Sequence, residues 1–413
     1  MMETMETMET LIRHKEIEIS TSEVISLMKN LISIPSPYFQ EDAIMDFTNN
    51  WFNENGIKSY IHEYHEKKVT NFRGKNVICK ISGDSDGPII CINGHLDTVK
   101  LCNGWTKEPY KGVVEGDKIY GVGALDMNSG CCSSMLALRK FHQLNKSFHG
   151  EIIASFVSDE EGPYGLGTNS IIEDGLLDKV DFSIVAEPSA AFNFKPFPNL
   201  CLGARGGYGL EVEFFGKSAH AALPDTGINA AVDAARFTCE LENINYIEDQ
   251  FLGKGVACAV SIESDGGACS VPDYAKVKLF WHIVVGENEK TIEDHIKDTI
   301  KRANIKSEFK ISFREAPSEG SRGFMPFTVA KENHFVDTFL KSIKNICNCE
   351  PSISYFQSIG DFNYLGSRLK APTIIFGAAG ENFHGADEYA TISSITKTAD
   401  IIYDFLVTVL TSK

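Results

Sequence analysis

Five short segments carry side chains that can hold hard cations or move protons, and three of them directly follow an apolar run. The first is Gly94-His95-Leu96-Asp97, after the run 89–93. A histidine at the carboxyl end of a strand can ligate a metal through one ring nitrogen, while an aspartate two residues on accepts the other ring proton and fixes the tautomer. Taken singly, His-x-Asp is more often a surface turn. The second segment places Asp126 in a glycine-bounded loop, Tyr120 to Gly130, just before a helical stretch. On its own that aspartate reads as an N-cap. The third is Ser158-Asp159-Glu160-Glu161-Gly162, after the run 152–157. Adjacent carboxylates repel unless they share a cation or one serves as a base while the other binds metal; a solvated acidic turn is the alternative. Glu187 ends a fourth apolar run, and His384 lies in the glycine-rich loop Glu381 to Glu388.

Strands must position these groups. Branched apolar runs at 76–81, 89–93, 152–157 and 182–186 alternate with a helix expected over 130–145, which implies an α/β layer. Loops at the strand ends of such a layer gather at one edge, where ligands and metals bind. A thiolate-free set of histidines and carboxylates suits two divalent ions, zinc foremost, with cobalt or manganese possible, and points to catalysis more than to structural zinc. Between 209 and 314 the order of elements becomes β-α-β-β-α-β, the ferredoxin-like signature. The expected fold class is α/β: a catalytic domain with a mixed sheet flanked by helices, formed by 19–203 and 318–413, plus an inserted α+β ferredoxin-like domain over 204–317, to which only a family resemblance assigns lid and dimerisation roles. Residues 1–18, with Met-Glu-Thr repeats, read as a disordered tail.

The order and spacing of these segments resemble the metallopeptidase and amidohydrolase family of acetylornithine deacetylase, succinyl-diaminopimelate desuccinylase, aminoacylase, dipeptidases and glutamate carboxypeptidase, from about Ile25 to Phe405. The resemblance implies that Asp126 bridges two metal ions, with His95 and Glu187 completing one site and Glu161 and His384 the other. It makes Glu160 the general base, Asp97 the partner of His95, and His220, in Gly216-Lys217-Ser218-Ala219-His220, an oxyanion-stabilising lid histidine, often supplied in relatives by the partner subunit of a dimer. Asn229 matches a substrate-contacting position and by itself reads as an N-cap. One departure matters: where relatives carry a carboxylate-binding arginine on a lid strand, this chain has His282. Arg205 or the loop Gly377 to Gly380 are the candidates to replace it. Asn128 also stands where lysine is common.

Composition bounds the partners. The chain has 413 residues, 43% hydrophobic, enough for a sizeable core, and a formal charge of −17 that opposes nucleic-acid binding. No apolar run is long enough for a membrane helix, and no signal peptide is evident, so a cytoplasmic location is expected. Eleven scattered cysteines fit a reducing compartment, with Cys131-Cys132 and the pair Cys347 and Cys349 read as buried thiols. His62-Glu63-Tyr64-His65 lacks zincin spacing and reads as a solvated segment. The expected activity is hydrolysis of an amide in a small N-acyl amino acid. A dipeptidase or carboxypeptidase is the nearest alternative, and a metal- or ligand-binding relative without turnover is the non-enzyme alternative.

Overall fold

The helix Thr21–Ile32 starts where the sequence writes a capping box: the Ser20 side chain accepts from Glu23 N–H, and the Glu23 carboxylate accepts from Ser20 N–H at 2.9 Å. Its apolar face, with Val24, Met28 and Leu31, is buried in a core that extends to the C-terminal helix Ile392–Thr411. The computed structural model describes residues 19–411; the tail expected at 1–18 lies outside them.

A nine-stranded mixed sheet organises this core, in the order Ser59–His65, Arg73–Ser82, His149–Val157, Ser85–His95, Phe182–Val185, Thr373–Ile375, Asn199–Ala204 and Phe327–Thr328, with Ser352–Phe356 also pairing with Asn199–Ala204. Its central strands are parallel: Ser85–His95 pairs in parallel with both His149–Val157 and Phe182–Val185, and the latter with Thr373–Ile375. Their carboxyl ends therefore open on one edge. Toward their carboxyl ends those central strands are buried throughout, as apolar runs of a parallel sheet require. The helix Asn128–Leu144 is buried along most of its length. It approaches so closely that a Cβ on Gly130 would meet the Ala186 carbonyl oxygen at 1.8 Å, so only glycine fits.

A second sheet has the order Val256–Ser264, Tyr274–Ile283, Gly206–Phe215 and Glu308–Phe313, fully antiparallel, with helices Ala230–Glu240 and Glu289–Arg302 packed on it. That is the ferredoxin-like topology the element order predicts. It has its own core around Phe214, Phe237, Trp281 and Ile296.

Three readings change. Ser59–His65 is a half-buried edge strand rather than a solvated segment, because seven residues of it pair with Arg73–Ser82. The buried strand Asn199–Ala204 was not anticipated. Cys131 and Cys132 are buried as expected, whereas Cys347 is half-buried and Cys349 exposed; all eleven cysteines are free. Among the described residues, no helix is long and apolar enough to cross a membrane.

Candidate active site

His95 is the last residue of its strand and is buried. Its Nε2 lies 3.2 Å from Asp126 Oδ1 and 3.3 Å from Glu187 Oε1. The expected pairing with Asp97 takes another form. His95 Nδ1 donates to the Asp97 main-chain carbonyl at 2.9 Å, while the nearest Asp97 carboxylate oxygen is 3.6 Å away. That carboxylate instead accepts the main-chain N–H groups of Glu160 at 3.1 Å and Glu161 at 2.8 Å. It thus holds the acidic loop.

Asp126 is not an N-cap: the helix begins two residues later, at Asn128, and Met127 occupies the cap position. Its second oxygen, Oδ2, lies 3.2 Å from His384 Nε2, and His384 lies 2.9 Å from the Glu161 carboxylate. Asp126 therefore stands between the two histidines, one oxygen toward each. The loop presenting it hangs on Glu388, whose buried carboxylate accepts N–H groups from Gly123, Leu125 and Asp126 at 2.9, 2.8 and 2.9 Å. Glu160 Oε1 accepts the Asp361 N–H at 3.1 Å, and Oε2 is 3.7 Å from His95 Nε2. Asp361 itself accepts from the Thr168 hydroxyl. Neither Glu388 nor Asp361 stood out in the sequence, although each is an acidic residue beside a glycine-containing loop.

The electrostatics have one cause, surplus negative charge in a buried space. Burial pushes the Glu160 carboxyl up to about 8, helped by the charges of Asp361, Glu161 and Asp126. Burial and the Asp126 charge push Glu187 well up. Hydrogen bonds to Asp126 and Glu161 pull the His384 imidazole up to about 11. Burial opposes protonation of His95, but Glu187 and Asp126 overcome it. Asp126 would be raised by burial, yet its bonds to the two histidines hold it below the usual carboxylate range. In addition, Glu187 Oε2 is buried without a hydrogen-bond partner. A buried carboxylate oxygen without a donor, on a side chain whose other oxygen lies beside His95, suits a cation. Ligating atoms of His95, Asp126 and Glu161, and of His95, Glu160 and Glu187, lie within 4.8 Å of one another, so the donor set fits hard or borderline divalent ions.

Asp126, Glu160, Glu161, Glu187 and His384 line a cleft of about 560 Å³ that is shared with the inserted unit, through Gly207, Gly209, Phe280 and Arg314. His220, Asn229, Arg205, His282 and Gly380 are not among its lining residues. His220 sits in an exposed turn, where its Nδ1 accepts from Ala222 N–H. Asn229 caps its helix through a bond from Val232 N–H. The Arg205 Nε donates to the Leu252 carbonyl at 2.9 Å. His282 Nε2 is 3.4 Å from the Ser358 hydroxyl, and Gly380 belongs to a short strand paired with Ala390.

A mixed sheet that collects histidines and carboxylates from parallel strand ends defines the class: an α/β protein with a hard-metal donor cluster at its sheet edge. Residues 91–408 match Peptidase family M20/M25/M40, and the chain belongs to that family of dinuclear-metal hydrolases acting on amide bonds. It is 26% identical to succinyl-diaminopimelate desuccinylase of Orientia tsutsugamushi (strain Boryong) over 396 residues, covering 94% of this chain and 96% of that one. The enzyme of the same name from Nautilia profundicola is also 26% identical, over 93% and 98% of the two chains. Among solved structures, a tripeptidase from Staphylococcus aureus subsp. aureus Mu50 superposes with a TM-score of 0.78 at 19% identity, covering 95% of this chain and 99% of that one. A dinuclear metal binding M20 peptidase from Bacillus subtilis gives 0.69 at 16% identity, over 95% and 99%.

Proposed function

We propose that the chain hydrolyses the amide bond of a small N-acyl amino acid, using Glu160 as general base beside two zinc ions. His95 and Glu187 would hold one ion, Glu161 and His384 the other, with Asp126 shared; cobalt or manganese can take the same donors. When bound, the ions lower the pKa of water toward neutrality and polarise the scissile carbonyl. The observation that carries this reading is Asp126, whose two oxygens lie 3.2 Å from two different histidines.

Glu160 takes the proton of the attacking water and delivers it to the leaving nitrogen. Its carboxylate is oriented by the Asp361 N–H, and burial places its proton affinity near the range a general base requires. Asp97 keeps Glu160 and Glu161 in register through their main-chain amides. His220 and Asn229 would serve the site of a second copy, His220 as an oxyanion donor, in a homodimer built through the inserted unit. In support of that contact, Val256–Ser264 is an edge strand with Val260 and Ile262 more than half exposed. The location assigned is cytoplasmic, with neither nucleic acid nor membrane as partner.

The names of the curated relatives favour an acylated amino acid over a free peptide. Metal-loaded protein offered N-succinyl and N-acetyl amino acids and dipeptides should hydrolyse the acyl compounds best, and Glu160→Gln should lose turnover. Preference for dipeptides would turn the reading toward a peptidase. Absence of all turnover with two metals bound would sink it.

A further inference from the structure

We propose that Arg314 is the group that receives a substrate carboxylate set across an apolar spacer from the scissile amide, in the place of the arginine this chain lacks at His282. Arg314 follows the last strand of the inserted sheet and lines the same cleft as Asp126, Glu160, Glu187 and His384. It is half-buried, and among the described residues no carboxylate oxygen lies within 4.0 Å of its guanidinium. Instead the guanidinium lies over the ring of Tyr164, 4.3 Å from its centroid. Tyr164 closes the loop that carries Glu160 and Glu161, so the cation is shelved at a fixed height beside the acidic loop, and its charge reaches buried Asp159 of that loop only from beyond ion-pair distance. A planar guanidinium in that condition is suited to bidentate carboxylate binding.

The other cations do not compete. Arg322 also lines the cleft but is paired with Glu289 at 3.1 Å. Arg205 is outside the cleft lining and is anchored to the Leu252 carbonyl. His282, with its imidazole pushed down to about 4 by burial and by Arg205, is uncharged near neutrality.

The strand beneath Arg314 is bare where a ligand would lie. Gly209 pairs with Phe280 on one side and accepts the Arg314 N–H on the other. A Cβ there would find its nearest neighbours, the Arg314 side-chain carbons, at 3.8 Å, so packing alone does not require glycine. Gly209 leaves open floor between an aromatic ring and a guanidinium, which suits the spacer of an acyl chain followed by its terminal carboxylate.

The proposal deepens the hydrolase reading by naming its substrate class, and it can be tested apart from turnover. Titrating zinc-loaded protein with succinate, glutarate and adipate, each against its monomethyl ester, isolates the second carboxylate, because both members of a pair keep one carboxylate for the metals. At least one diacid is expected to bind about 10- to 100-fold tighter than its ester. Arg314→Met should erase that ratio while leaving ester binding unchanged, Arg314→Lys should restore part of it, and Arg205→Met should leave it intact. A ratio near one for every diacid in the wild type, or a ratio that survives Arg314→Met, overturns the proposal. A ratio that behaves as expected in a protein that hydrolyses no amide would leave the carboxylate site standing and remove the hydrolase reading.

Discussion

The carboxylate of Asp97 is bonded to the main-chain N–H of Glu161 at 2.8 Å, and to that of Glu160 beside it, while its own carbonyl accepts the His95 ring proton. One residue therefore sets the positions of a histidine and of two consecutive carboxylates. Asp97→Asn keeps one acceptor oxygen and turns an amide group toward the remaining donor, which leaves that donor unmade at a cost of about 1–3 kcal/mol. The expected result is a fall of about 10- to 100-fold in kcat/KM or in metal affinity, with the fold intact by circular dichroism. Wild-type kinetics and metal content in this variant would show that the acidic loop needs no such hold.

Removal of single metal donors should be separable. Glu187→Ala and His384→Ala take donors from opposite sides of Asp126, so each is expected to lower the metal content of the purified protein by about one ion per chain, whereas Glu160→Gln should keep both. Elemental analysis after dialysis measures this directly. A Glu160→Gln protein that loses metal would move Glu160 from base to ligand, which its 3.7 Å separation from His95 Nε2 makes worth testing.

The central strands could be read from the sequence because each is a short branched run that ends on a chemically distinctive residue, as at His95 and Glu187. Ser59–His65 could not, since its polar residues become a strand only by pairing with Arg73–Ser82. The same holds within the site. Glu388 and Asp97 act on main-chain amides, and Glu388 reaches amides 262 to 265 residues away. No local spacing encodes such a bond. The resemblance implied ligand identities, but it was silent on Arg314, where the relevant facts are the lack of a contact ion pair among the described residues and a bare neighbouring strand.

His282 gives a pH dependence whose sign is fixed. Burial, then the Arg205 charge, lowers its imidazole from the ordinary value near 6.5 to about 4. Between those values the unfolded chain binds more protons than the folded one, so this contribution is complete above about pH 6.5 and is lost as pH falls toward 4. Its size is at most about 3 kcal/mol, and less because the ring is partly open to water. Urea unfolding at stepped pH should show a shallower decline across that window for His282→Gln than for the wild type. Parallel curves would mean that His282 is as exposed in the folded chain as in the unfolded one.

His220 supplies the sharpest test of a shared site, because in one chain it is an exposed turn residue outside the cleft. If it completes the site of a second copy, His220→Ala and Glu160→Gln are each inactive homodimers with metals retained. Subunits of the two mixed under conditions that exchange them form a heterodimer in which one site has both an intact Glu160 and a donated His220. With random pairing half of the dimers are mixed, and each has one competent site, so recovery should approach about a quarter of wild-type activity. Recovery that never exceeds the sum of the two variants would confine His220 to its own chain, where its distance from the cleft leaves it no role in the chemistry.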